Sequence, residues 1–169
     1  MNDKNSIHNE TQAYTRTVQE AENFSSCIDI ILSNIFELKN KNIDQILSQL
    51  PDSSAHTIKK ILTDNKVDSA DHTAIENVLL KAKEEIKNLK IAKITLAIDP
   101  SEDTISLISD WINKNLGDGI ILDLSKDESI LGGVIISIDG VYKDQSLKKN
   151  LEELFIKRKS EILSSFLHK

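Results

Sequence analysis

Ile130-Leu131-Gly132-Gly133-Val134-Ile135-Ile136-Ser137-Ile138-Asp139-Gly140-Val141-Tyr142-Lys143-Asp144-Gln145-Ser146-Leu147 packs a glycine pair, an apolar run, an Asp-Gly turn and a helix start into one short span. Glycine reaches positive φ without a Cβ penalty, so Gly132-Gly133 can turn the backbone sharply before an extended run. From Val134 to Ile138, Val134, Ile136 and Ile138 share one face and Ile135 and Ser137 the other, which predicts a strand. Asp139-Gly140 is a pair that a two-residue type I′ hairpin prefers. Val141-Tyr142-Lys143 then reads as the return strand. Asp144 and Ser146 are both candidate N-caps for the helix that follows. Nucleotide-binding loops need G-x-G-x-x-G or G-K-[ST] opening a helix. Here a strand follows the glycines, so they read as backbone geometry.

Upstream of this stretch the period alternates once more. Ile94, Leu96 and Ile98 alternate with Thr95 and Ala97 until Asp99-Pro100 breaks the run, predicting a strand. Ser101 is a candidate cap for a helix whose first turn carries Glu102 and Asp103, where negative charge suits the helix dipole. Its predicted inner face is Ile105, Ile108, Trp111, Ile112 and Leu116, and Gly117 ends it. Ile120, Leu122 and Leu124 predict a second strand, and the last helix carries Leu147, Leu151, Leu154, Phe155, Ile162 and Phe166. The order is β-α-β-β-β-α. A helical crossover implies that the first two strands are parallel, and the hairpin adds antiparallel strands.

Residues 1–90 read as helices only. Tyr14, Val18, Ala21, Phe24, Ile28, Ile31, Leu32, Ile35 and Leu38 predict one long amphipathic helix from about Thr11 to Leu38. A shorter helix with Ile43, Ile46, Leu47 and Leu50 is stopped by Pro51. A third, with Ser53 or Ser54 as its cap, buries Ile58, Ile61 and Leu62. A fourth opens at Asp68 or Asp71 and buries Ile75, Val78, Leu79, Ala82, Ile86 and Leu89. No stripe can hide alone, so an antiparallel bundle is predicted. The fold class is therefore α+β: an N-terminal antiparallel helical bundle, residues 1–90, then a small mixed-sheet α/β domain, residues 91–169.

Composition narrows the function classes. The chain has 169 residues, 39% of them hydrophobic and 28% charged, which fits a globular protein rich in solvated helix. The net charge of −6 argues against nucleic acid as a partner. The basic run Lys157-Arg158-Lys159 sits beside acids and reads as a solvated face. One cysteine, Cys27, excludes an internal disulfide and sits on an apolar stripe as a buried thiol. His8, His56, His72 and His168 are dispersed, without metal-ligand spacing. No apolar run approaches the ~20 residues of a membrane span, and the polar N-terminus does not read as a signal peptide. Asp99, Asp110, Asp123, Asp127, Glu128, Ser129 and Ser146 offer carboxylates and hydroxyls. No histidine lies near them in sequence to serve as a base, so no catalytic residue is predicted. Metal and cofactor are likewise expected to be absent.

From Ile94 to Leu154 the ordered combination of strand, Pro-initiated helix, strand, acidic loop, Leu131-Gly132-Gly133, apolar strand, Asp-Gly turn and Asp144-x-Ser146-Leu147 resembles the C-terminal domain of the delta subunit of F-type ATP synthases, relatives of the oligomycin-sensitivity-conferring protein. The departures are a proline-free acidic loop, Lys126-Asp127-Glu128-Ser129, and Gln145 where the family usually has glycine. The N-terminal half echoes the family's tyrosine-alanine signature in Ala13, Tyr14 and Val18, the candidate head-binding residues. It predicts four helices where the family bundle has six. The resemblance implies a non-catalytic peripheral-stalk subunit, with its N-terminal domain on the alpha subunits and its C-terminal domain on the membrane-anchored b subunits. It also implies a peripheral place on the cytoplasmic face of the bacterial plasma membrane, without direct membrane insertion. Gly132, Gly133, Asp144 and Ser146 are the motif's turn and cap residues. Two alternatives are an E-type peripheral-stalk subunit of V- and A-type ATPases, which shares a Gly-Gly-Val strand, and an unrelated helical adaptor.

Overall fold

The computed structural model describes residues 7, 10, 11, 14–35 and 43–167. The chain divides into two compact units, Met1–Lys90 with Ser109–Ile121, and Ile91–Ile108 with Leu122–Lys169. Beside helical residues at positions 7, 10, 11 and 14, the first stretch carries α1 (Val18–Asn34), α2 (Ile43–Leu47), α3 (Asp52–Asp64) and α4 (His72–Lys87). After them come β1 (Lys90–Leu96), α5 (Glu102–Leu116), β2 (Ile120–Lys126), a 3-10 turn (Glu128–Ile130), β3 (Gly133–Ile138), β4 (Val141–Ser146) and α6 (Leu147–Leu167). This is the expected α+β class and the expected β-α-β-β-β-α order.

The single long helix expected from Thr11 is interrupted. Residues 10, 11 and 14 are helical, but the chain leaves the helix at Thr15 and restarts at Val18. The cause is local. Thr17 adopts an extended conformation and its Oγ1 accepts the Glu20 amide at 3.1 Å, while the Glu20 carboxylate accepts the Thr17 amide at 3.1 Å. This capping box satisfies two helix-end donors at once. Glu20 also takes the Arg16 amide at 2.7 Å and its guanidinium at 2.6 Å. Periodicity sees through such a break because the apolar spacing happens to continue across it. Leu38 lies outside the described residues.

Pro51 separates α2 from α3 as expected, but neither Ser53 nor Ser54 is the cap. The helix begins at Asp52, and Pro51 holds the cap position without a side-chain bond. The proline supplies a preset φ, and Asp52 places negative charge in the first turn. Of the two candidates for α4, Asp71 is the cap, accepting the Ala74 amide at 3.0 Å; Asp68 instead closes a turn onto the Ala70 amide. The stripes then meet in one core in which Phe24, Ile28, Ile31, Ile58, Ile61, Ile75 and Leu79 are all fully buried. Each such residue is worth roughly 1.5–3 kcal/mol relative to exposure. Helix α1 packs on α2 and α4, and Lys83 of α4 pairs with Asp29 of α1. Cys27 is buried, as its stripe predicts.

The four strands form one sheet in the order β2-β1-β3-β4. Strand β1 begins earlier than the alternation suggested and ends before Ile98, which is exposed. Pairing explains it: the Lys90 amide bonds the Gly119 carbonyl at 2.8 Å, and the Asp127 amide bonds the Leu96 carbonyl at 2.8 Å. Those two bonds join start to start and end to end, so β1 and β2 run parallel, as a helical crossover requires. Strand β3 is antiparallel to both neighbours; Ile94 faces Ile136 and Leu96 faces Val134 across one interface. The two apolar pairs share one face of the sheet, which fixes the register.

Helix α5 keeps part of its expected inner face, with Ile112 buried and Ile105 and Ile108 half-buried, but the buried line is narrower than expected. Ile112 and Ser109 are buried, whereas Trp111 is 51% exposed and Leu107, one turn before it, 70%. Trp111 is therefore a surface residue. The expected inner-face residue Leu116 is exposed as well.

Candidate functional site

Three consecutive residues at the entry to β3, the last of them its first residue, have positive φ: Leu131 at 65°, Gly132 at 155° and Gly133 at 78°. The third needs glycine for two independent reasons. A side chain at that φ is strained, and a Cβ there would overlap the Gln145 carbonyl oxygen and lie 3.2 Å from Ser146 Cα. Gly133 pairs with Ser146 at the open end of the β3–β4 hairpin, so the two strands close tightly where α6 begins. At the other end Asp139 and Gly140 have φ of 48° and 79°. Both central residues being left-handed is the type I′ geometry expected of Asp-Gly.

The two predicted caps share the work. Ser146 is 2% exposed, and its Oγ accepts the Lys149 amide at 3.1 Å, which makes it the cap of α6. Asp144 accepts the Ser146 amide at 2.8 Å, closing a turn that sets the serine in place. The Gly132 carbonyl accepts the Leu147 amide at 2.9 Å. Gly132, Gly133, Asp144 and Ser146 thus meet in one joint that ties the glycine turn, the hairpin and the last helix together. The Asp144 carboxyl is held below the usual carboxylate range by the Ser146 amide, then the Ser146 hydroxyl, with Lys149 and Lys148 nearby. Asp127 is shifted the same way by the Ser129 hydroxyl and amide, and it accepts the Ser129 amide at 2.9 Å to start the 3-10 turn. The pattern is that of anionic caps on backbone donors.

Asp99 and Glu128 are engaged by a cation. Lys126 lies 2.9 Å from Glu128 and 3.3 Å from Asp99, an exposed ion-pair cluster that raises its own pKa. Among the described residues, no group of three His, Cys, Asp or Glu is placed to hold a metal ion. What this arrangement does is fix the direction of a helix.

The candidate head-binding residues do not form a comparable unit. Ala13 lies outside the described residues. Val18 is the first residue of α1 and half-buried. Tyr14 has its hydroxyl 2.8 Å from Ser54 Oγ and 3.0 Å from Ser53 Oγ, with its ring centroid 4.9 Å from that of Phe24. Its polar tip is therefore engaged with the first turn of α3, a contact that no local pattern signals across so many residues.

The family model described as "ATP synthase delta (OSCP) subunit" matches residues 1–156. ATP synthase subunit delta of Syntrophobacter fumaroxidans is 34% identical over 68 residues, 40% of this chain and 37% of the relative. That of Persephonella marina is 34% identical over 62 residues, 37% of this chain and 34% of the relative. In these two cases the chain spans little more than a third of the relative's length. The delta subunit of Natranaerobius thermophilus is matched over 96% of this chain and 91% of its own length, at 22% identity. The order of glycine turn, hairpin and capped helix accords with that match, which runs through both the helical and the sheet-bearing parts: the chain belongs to the ATP synthase delta (OSCP) subunit family.

Proposed function

We propose that the chain is a peripheral-stalk subunit of an F-type ATP synthase, holding the catalytic head to the membrane-anchored b subunits without catalysing a reaction itself. The observation that carries the reading is the family match over residues 1–156, which extends well beyond the C-terminal motif. In this reading residues 1–90 form the domain that grips the alpha subunits, with Ala13, Tyr14 and Val18 near that contact. Residues 91–169 form the domain that meets the b subunits. No nucleic acid and no cofactor takes part.

The physical task of a stator is to transmit torque, which favours rigid joints over mobile ones. The Gly133 and Ser146 joint supports this reading because its geometry is over-determined by backbone bonds and a close approach. Among the described residues no helix is long and apolar enough to cross a membrane. Placement on the cytoplasmic face of the plasma membrane would then come through the b subunits. Membership of the delta family favours this reading over the E-type stalk subunit and the unrelated helical adaptor.

Affinity purification of the tagged chain from its own cells tests the proposal. Alpha and b subunits are expected to co-purify with it. Recovery in an unrelated complex without ATPase subunits would refute it.

A further inference from the structure

We infer that Asp139-Gly140, at the tip of the β3–β4 hairpin, is a site of spontaneous covalent modification, where the aspartate closes to a succinimide and reopens as isoaspartate. The inference is independent of the stator reading. Both residues are exposed, and they form the whole of the turn, because the β3–β4 ladder closes on the pair Ile138 and Val141. The Gly140 amide therefore lies outside the ladder.

The step needs nothing but water. The Gly140 nitrogen attacks Cγ of the protonated Asp139 carboxyl, and a C–N bond forms as a C–O bond breaks. The amide proton and the hydroxyl leave together as water. Water then reopens the ring. Addition at Cγ restores aspartate, whereas addition at the main-chain carbonyl leaves the chain running through Cβ and Cγ, with the α-carboxylate as a branch. Nothing is oxidised or reduced. A following glycine favours closure because no Cβ shields the attacking nitrogen.

Backbone geometry singles out this aspartate. A five-membered ring through Cγ and the next nitrogen holds ψ of the aspartate at about −120°, the value of the first central residue of a type II′ turn, where φ is positive. Asp139 already has φ of 48° in its type I′ turn. Types I′ and II′ are both two-residue hairpin turns, and they differ by a flip of the peptide plane between the central residues. Here that plane is the Asp139–Gly140 peptide. Nothing lies within 4 Å of a Cβ built on Gly140, so the plane has open space to turn. The succinimide thus fits the tip without parting the strands. Asp118-Gly119 is an internal control with the same two residues. Asp118 is exposed but does not have a positive φ, and the Gly119 carbonyl accepts the Lys90 amide at 2.8 Å, which restrains the glycine. Isoaspartate at the tip adds one atom to the main chain of a two-residue turn and loosens the Ile138 and Val141 pair.

The test incubates the full chain in heavy-oxygen water at neutral pH for several weeks, then digests it with trypsin in ordinary water for mass spectrometry. Each passage through the ring leaves one heavy oxygen, whichever way the ring reopens. The peptide of residues 127–143 reads Asp139, and that of residues 115–126 reads Asp118. In the folded chain, label and isoaspartate are expected to accumulate several-fold faster at Asp139 than at Asp118. In guanidinium the two rates are expected to converge. Asp139→Glu, whose ring would need a sixth member, is expected to lose the signal from its peptide. A folded-state rate at Asp139 no higher than at Asp118, or a ratio unchanged by guanidinium, would overturn the inference. So would a signal that persists in Asp139→Glu, since it would then belong to Asp127.

Discussion

Gly133→Ala and Gly140→Ala should destabilise the protein by different amounts, although both glycines have φ close to +79°: 78° and 79°. Placing an L-residue at such a φ costs at least about 1–2 kcal/mol of backbone strain. Loss of glycine's unfolded-state freedom returns about 0.5–1 kcal/mol in each case. At Gly140 nothing lies within 4 Å of the added Cβ, so the net cost there is about 0–1.5 kcal/mol. At Gly133 the methyl group overlaps the Gln145 carbonyl and crowds Ser146 Cα at 3.2 Å. Relieving that overlap separates the end of β3 from β4, adding about 1–3 kcal/mol of overpacking cost. It also strains the Leu147-to-Gly132 bond at the start of α6. Gly133→Ala should therefore exceed Gly140→Ala by at least about 1–3 kcal/mol, and Gly133→Val should be worse still. Guanidinium titration followed by circular dichroism gives the totals, and hydrogen exchange of residues 133–146 localises the loss. Equal midpoints for the two alanine variants would refute the close-approach argument.

Acid stability follows from the two anionic caps. Asp144 and Asp127 both have carboxyls lowered from 3.8, so their contribution is complete above that value and fades as pH falls through the lower folded-state value. A double Asp144→Asn, Asp127→Asn variant should lose less stability than the wild type between neutral pH and pH values below 3.8; an identical acid limb in denaturant titrations would contradict this. Tyr14→Phe keeps the ring against Phe24 but removes the partner of Ser54, which is only 2% exposed, and should cost about 1–2 kcal/mol. Thr17→Ala opens the capping box and should cost about 1 kcal/mol; a thermal-melt series reads both, and no change in either would place the described contacts outside the energetics. Phe24→Ala, at a fully buried core position, should cost about 3–5 kcal/mol, and a smaller loss in the same series would mean that the helical core collapses around the cavity.

Features controlled by short-range chemistry were legible in the order of residues. Asp139-Gly140 can make a type I′ turn without help from elsewhere, and each cap was narrowed to two near neighbours, Asp144 or Ser146 and Asp68 or Asp71, of which the folded chain uses Ser146 and Asp71. Apolar period identified the helical core, since Phe24, Ile28, Ile31, Ile58, Ile61 and Leu79 recur at helical spacing and end up fully buried. The order of Gly132-Gly133, strand, turn and cap was enough to point to the family. Tertiary structure decided what depends on a distant partner. It moved the start of β1 to Lys90, because Gly119 and β2 supply the bonds that a weak local strand signal could not reveal. It turned α5 so that Ile112 is buried and Trp111 is not, a rotation within one apolar stripe that periodicity leaves undetermined. It took the Tyr14 hydroxyl to Ser53 and Ser54, and it left Leu154 and Phe155 uncovered. The physical reason is the same in each case: a stripe or an alternation says which residues seek cover, and only the assembled chain says which of them find it.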